Sequence, residues 1–126
     1  MQQKAYIVKH RDFETRVASR SGGIFTAISD IVLDQRGVVY GCVVNEQFQA
    51  EHIRAVSKEE RNCLRGSKYV QSSVGKCYEN ARDDLKLGKQ VLFSGTGCQI
   101  AGLKSYLGSI PDNLLTMDLV CQVMPL

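Results

Sequence analysis

Chemistry is most readily placed at Ser94-Gly95-Thr96-Gly97-Cys98-Gln99. These residues lie between an apolar run, Val91-Leu92-Phe93, and a helical stripe of Ile100, Leu103 and Leu107. Glycines there allow a sharp turn and leave backbone N–H groups free. The start of the helix adds partial positive charge, which suits a phosphate or a thiolate. Cys98 stands at that start. A helix N-terminus favours the thiolate, the form that ligates iron or attacks an electrophile. The alternative is a small apolar side chain packed under a turn, since free cysteines are among the most buried residue types.

Cys121 directly follows the run Leu114–Val120, as Cys98 follows Val91–Phe93. If these are parallel strands joined by the intervening helix, both thiols emerge at one sheet edge, where open α/β sheets bind ligands. Two thiols there could share an iron–sulfur cluster, a metal or a reversible disulfide. They do not complete a cluster, which usually needs four cysteines. Cys42 and Cys77 read as packing residues, and Cys63 could be either.

Ser21-Gly22-Gly23 is a second glycine-rich helix start, able to cradle a phosphate or simply to cap a helix. Lys68, beside Tyr69 in the polar loop Arg65–Tyr69, could pair with a phosphate, approach a flavin ring or stay solvated. His10 and His52 stand near no acid–thiol constellation and receive no role. Asp118 lies in a strand without a named partner.

These groups must be positioned by a single small domain of 126 residues. With 44% hydrophobic and 23% charged residues, the chain has a globular balance that argues against disorder, collagen and coiled coil. A net charge of +3, with its cations scattered, argues against a nucleic-acid partner. No apolar run approaches the ~18 residues of a membrane span. No secretory signal is visible at the amino terminus, so a cytoplasmic address is expected. There the five cysteines, an odd number with no CxxC pair, are not a disulfide framework or a self-contained zinc site.

The periodicities predict the following elements. Ala5–Val8 is a short β-favouring run, and His10 to Ser19 is a loop. A helix covers Ile24–Leu33 with Ser21 as N-cap and Gly37 beyond its end. Val38–Val44 and Phe48–Val56 form a hairpin about Asn45-Glu46-Gln47. A short helix covers Ser57–Arg61, with Ser57 capping and Glu60 three residues on. A helical stripe of Val74, Tyr78, Ala81 and Leu85 closes at Gly88. Strand Val91–Phe93, the turn Ser94–Gly97, a helix closing at Gly108 and strand Leu114–Val120 complete the chain. The expected class is α/β: a mixed sheet with an antiparallel hairpin and a parallel β-α-β unit, flanked by helices.

Several ordered blocks carry a resemblance. They are Ser21-Gly22-Gly23-Ile24-Phe25-Thr26, Gly37-Val38-Val39-Tyr40-Gly41 and Leu64-Arg65-Gly66-Ser67-Lys68-Tyr69-Val70-Gln71-Ser72. Phe93-Ser94-Gly95-Thr96, with Cys98-Gln99-Ile100-Ala101-Gly102-Leu103, and Asp118-Leu119-Val120-Cys121 follow. From Ala5 to Cys121 the chain resembles the coenzyme F(420) hydrogenase/dehydrogenase beta-subunit family. The resemblance implies a flavoprotein with FAD and an iron–sulfur cluster of the 4Fe–4S type. Such a module passes electrons between cluster, flavin and coenzyme F(420) or another acceptor. It further implies Cys98 and Cys121 as cluster ligands. Ser21, Gly22, Gly23, Lys68, Tyr69, Gly95 and Thr96 would then surround the flavin. Expected partners are other redox subunits or a ferredoxin-like electron donor.

The family usually has proline where Gly97 stands, a longer segment after Cys121 and a cysteine-rich ferredoxin-like segment upstream. Residues 1–126 are therefore expected to form one partial flavin-binding oxidoreductase domain, with weak or no activity alone. The rival expectations are a non-catalytic remnant that binds a partner or forms a homo-oligomer, and a redox protein using Cys98 and Cys121 as a disulfide.

Overall fold

A computed structural model describes residues 3–66, 68 and 70–119. The strands form where β-branched and apolar residues run together. They are β1 (Val38–Val44), β2 (Ala50–Ala55), β3 (Val91–Thr96) and β4 (Leu114–Leu119), in the order β2-β1-β3-β4. β1 is antiparallel to β2, pairing Cys42 with His52. It is parallel to β3, which in turn is parallel to β4 from Val91↔Leu114 to Thr96↔Leu119. This is the mixed α/β sheet the sequence predicts, with its hairpin and its β-α-β unit.

The helices are α1 (Phe13–Ser19), α2 (Ile24–Asp34), α3 (Lys58–Asn62), α4 (Cys77–Lys86) and α5 (Gly97–Leu107). One face of the sheet packs Tyr40, Phe93 and Val91 against Ala81, Leu85, Ile100 and Leu103 of α4 and α5. The other packs Val39, Leu92 and Ala55 against Val32 of α2 and Leu64. Central strands covered on both faces read as continuous apolar runs, which is why Val38-Val39-Tyr40 and Val91-Leu92-Phe93 stand out in the sequence. Each of those six side chains is at most 1% exposed. Burial of each aliphatic or aromatic one contributes roughly 1.5–3 kcal/mol.

Several expectations are corrected. His10 to Ser19 is not all loop. Asp12 caps α1 by accepting the Thr15 N–H at 3.0 Å and its hydroxyl at 2.6 Å. The helix lacks a buried apolar stripe, with Phe13 and Val17 exposed, so periodicity cannot reveal it. Ala5–Val8 joins no strand and is exposed. The N-cap of α2 is Gly23, not Ser21, with φ +84° and no side-chain cap. The His10 N–H donates to the Gly22 carbonyl there, and a Cβ on Gly22 would lie 2.9 Å from the Val8 carbonyl oxygen. Close approach of the amino-terminal segment thus shifts the helix start. β2 starts at Ala50, not Phe48, because the Asn45 side chain accepts the Gln47 and Gln49 N–H groups and curls the chain. β3 continues through Ser94 and Gly95 to Thr96, and Gly97 is already helical, so the expected tight turn is absent.

Charge also ties the layers. Arg61, 2% exposed, donates to Ser29 Oγ and Asp30 Oδ1, both at 2.7 Å, and joins α3 to α2. Asp84 of α4 receives both Arg54 donors at 2.8 Å and the Tyr40 hydroxyl at 2.5 Å. Burial pushes the Asp84 carboxyl up, but Arg54, Tyr40 and Lys89 outweigh it and hold the group below the usual range. Its stabilising contribution is complete above the unfolded value of about 3.9 and is lost as pH falls through the lower folded value. Asp84→Ala should lower stability by about 3 kcal/mol, the low end for breaking a buried pair, because Arg54 stays 35% exposed. Urea midpoints between pH 2 and 6 should fall with acidity in the parent and fall less in Asp84→Asn.

Candidate functional site

β1, β3 and β4 run in one direction, so their carboxyl ends meet at one edge of the sheet. A cavity of about 180 Å³ opens there, lined both by the start of α2 and by Cys42, His52, Ser72 and Gln99, so Cys42 is not simply a packing residue. The first turn of α2 supplies Gly23, Ile24 and Phe25; the loop after α3 supplies Leu64, Arg65, Gly66 and Lys68. Ser94, Gly95 and Thr96 come from the end of β3, and Met117 and Leu119 from β4.

Of the residues singled out in the sequence, Ser21, Gly23, Lys68, Gly95 and Thr96 line this one cavity. Gly22 lies against Val8 and is not part of its lining. Cys98 is exposed on the first turn of α5, with Sγ 3.1 Å from Thr96 Oγ1, and does not line the cavity. Tyr69 and Cys121 lie outside the described residues.

The cavity combines an apolar wall with positive groups. Ile24, Phe25, Leu64, Met117 and Leu119 form the apolar part. At the same place α2 begins without a side-chain cap and without an acidic residue in its first turn. Its first N–H groups carry the helix's partial positive charge. Among the described residues the buried Arg65 Nε meets no hydrogen-bond partner. Burial, and then the charge of Arg61, lower the Arg65 pKa. The Lys68 ammonium donates to the Arg65 and Gly66 carbonyls. Burial lowers its pKa as well, against the Cys42 and Cys63 thiols, which raise it. An uncapped helix start beside two cations suits an anion, phosphate above all. The donors suit a phosphate and the apolar wall a flat ring, but about 180 Å³ takes only part of a dinucleotide, below the roughly 300–1,000 Å³ of a small-molecule site.

An iron–sulfur cluster fits less well. Cys42 is half-buried, Cys63 and Cys98 are exposed, and Cys77 is buried with its thiol on the His52 carbonyl at 3.4 Å. Among the described residues no three His, Cys, Asp or Glu side chains converge to hold a metal.

His52, given no role by the sequence, stands at this edge. It is 7% exposed and stacks on Phe93 at 5.4 Å. Nε2 lies 2.7 Å from the Ser94 carbonyl, which can only accept, so Nε2 carries the proton. Nδ1 is then free to accept from the Ser72 hydroxyl at 2.6 Å. Gln99 completes the group: Oε1 accepts the Thr96 N–H and Nε2 donates to the Ser72 carbonyl, each at 3.1 Å. The signal for His52 is strand parity. Ile53 and Ala55 face α2, so His52 and Arg54 must face the covered α4 side, where a polar group needs partners.

No family model and no curated protein matches the chain. A solved structure does: a chain of the xenon-derivatised F(420)-reducing nickel–iron hydrogenase complex from Methanosarcina barkeri. The likeness is one of fold. The TM-score is 0.63 and the identity 21%, over 92% of this chain. This chain spans 44% of the length of that one.

Burial lowers the His52 pKa, although its bond to the Ser94 carbonyl raises it. The associated stability is complete above the ordinary value of about 6.5 and is lost as pH falls from there toward the lower folded value. Thermal or urea unfolding should show stability falling below pH 6.5, by at most about 1.4 kcal/mol per pH unit. His52→Gln, which keeps a donor for Ser94 and does not titrate, should flatten that slope.

Proposed function

We propose that the cavity binds a flavin, FAD, and that the chain is an electron-transfer oxidoreductase module related to the beta subunits of coenzyme F(420) hydrogenases and dehydrogenases. The observation that carries this reading is the convergence of the α2 start, Arg65, Lys68 and the Gly95–Thr96 segment on one cavity at the carboxyl edge of a mostly parallel sheet. The hydrogenase fold neighbour supports a redox setting.

A bound flavin supplies two-electron and one-electron chemistry at one ring. The chain's part is to hold it. The first-turn N–H groups of α2 and the Arg65 guanidinium would take the pyrophosphate, with Lys68 alongside. Gly95 lines the site with bare backbone, its Cβ position being taken by Gln99 and His52, and the apolar wall would exclude water from one side of the ring. Cys98 and Cys121 are the proposed ligands of a 4Fe–4S cluster. The proposed acceptor is coenzyme F(420) or another small oxidant, and the proposed partners are redox subunits or a ferredoxin-like donor. On this reading residues 1–126 are part of a flavin domain that acts in the cytoplasm. A second reading, a non-catalytic module that docks on a partner or a second copy, is favoured by the exposed Tyr6, Ile7, Phe13 and Val17.

FAD titration, followed by flavin fluorescence, tests the first reading. Riboflavin, which lacks phosphate, should bind at least tenfold more weakly than FAD. Arg65→Ala should remove about tenfold of the FAD affinity, equivalent to ~1.4 kcal/mol, while Lys86→Ala on the exposed side of α4 leaves it unchanged. Equal binding of riboflavin and FAD would rule out the phosphate assignment. After anaerobic reconstitution with iron and sulfide, Cys98→Ser should lose the visible absorbance of a cluster.

A further inference from the structure

We infer that His52 and Gln99 are positioning residues, which pin the strap Val70–Ser73 as a wall of the ligand cavity. The inference rests on the reading of that cavity as a flavin site.

The strap has little backbone support of its own. Ser73 forms an isolated parallel bridge with Glu51, its N–H donating to the Ala50 carbonyl at 3.1 Å and its carbonyl accepting the His52 N–H at 2.9 Å. A single bridge on an edge strand is a weak attachment. The side chains add what the ladder lacks. Ser72 is gripped twice, its hydroxyl by His52 Nδ1 at 2.6 Å and its carbonyl by Gln99 Nε2 at 3.1 Å. Each gripping side chain is itself fixed at its other polar end. His52 Nε2 holds the Ser94 carbonyl, and Gln99 Oε1 holds the Thr96 N–H. Both therefore act as struts between the end of β3 and the strap.

The strap has two sides. Val70 and Ser72 line the cavity, whereas Val70, Gln71 and Ser73 line a second cleft beside Asn45 and Phe48 of the hairpin turn. The segment is a partition between the two spaces. If the struts fail, the partition moves and the ligand loses one wall; because His52, Ser72 and Gln99 also line the cavity, the exchange of the strap amide is what separates a moved wall from a lost contact.

Amide hydrogen exchange and FAD titration of the 126-residue chain test this together. Ser72→Ala removes one grip without opening the core. It should speed exchange of the Ser73 N–H at least tenfold, leave the Val39 and Leu92 amides unchanged and weaken FAD five- to twentyfold. Ser72→Thr, which keeps the hydroxyl, should restore both. His52→Gln should behave like Ser72→Ala. Unaltered Ser73 exchange in Ser72→Ala overturns the pinning. Faster exchange with undiminished FAD affinity overturns the positioning role. Failure of the unsubstituted chain to bind FAD is a different result and sinks the ligand reading itself.

Discussion

The end of β3 is so closely packed at Gly95 that a side chain there would have to displace Gln99. A Cβ there would lie 2.9 Å from Gln99 Oε1, 3.3 Å from Gln99 Cβ and 3.4 Å from His52 Nε2. That missing methyl lets strand pass into helix without a loop, and it lets the Gln99 side chain fold back over the junction. The Thr96 N–H, the first amide beyond the glycine, is satisfied by that same side chain. Buried backbone donors without partners cost about 1–3 kcal/mol each, so strand end and helix start depend on one another.

From this junction the polar groups extend outward in an orderly way. The Ser94 carbonyl takes His52, His52 takes Ser72, and Ser72 returns to Gln99. Each group is matched, so the network rigidifies the edge instead of destabilising it. On the same face of the sheet, Tyr40, Arg54 and Asp84 form a second matched set, and Tyr40 stacks on Phe93 between the two. The apolar layers provide most of the stability. The polar sets tie particular side chains and the Ser72 loop to fixed partners.

The architecture is legible in the sequence to the extent that burial is uniform. Val38-Val39-Tyr40 and Val91-Leu92-Phe93 announce central strands because both sheet faces are covered, and Ser57 with Glu60 announces α3 by its cap. The edges of elements are less legible, because tertiary contacts set them. Ser21 has the right chemistry to cap α2, yet the packing of the amino-terminal segment on Gly22 moves the start to Gly23. α1 is held by Asp12 and not by an apolar face, so hydrophobic periodicity passes over it. At the cavity, the glycine-rich segments and Lys68 are visible as residue types. Arg65 and His52 matter through a guanidinium nitrogen with no partner among the described residues and through two ring contacts, which no linear pattern encodes.

The order of strands has a consequence for how quickly the chain can reach this state. β1 and β2 are neighbours in sequence and can zip within microseconds. The central pairing of β1 with β3 instead joins Val38 to Val91. A loop of roughly fifty residues must close before either apolar layer has both of its sides, and that entropy is spent before contacts repay it. The hairpin, α2 and α3 therefore wait on a late, long-range encounter. In that interval the apolar strands Val38–Tyr40 and Val91–Phe93 each keep one edge open to pairing with the wrong chain.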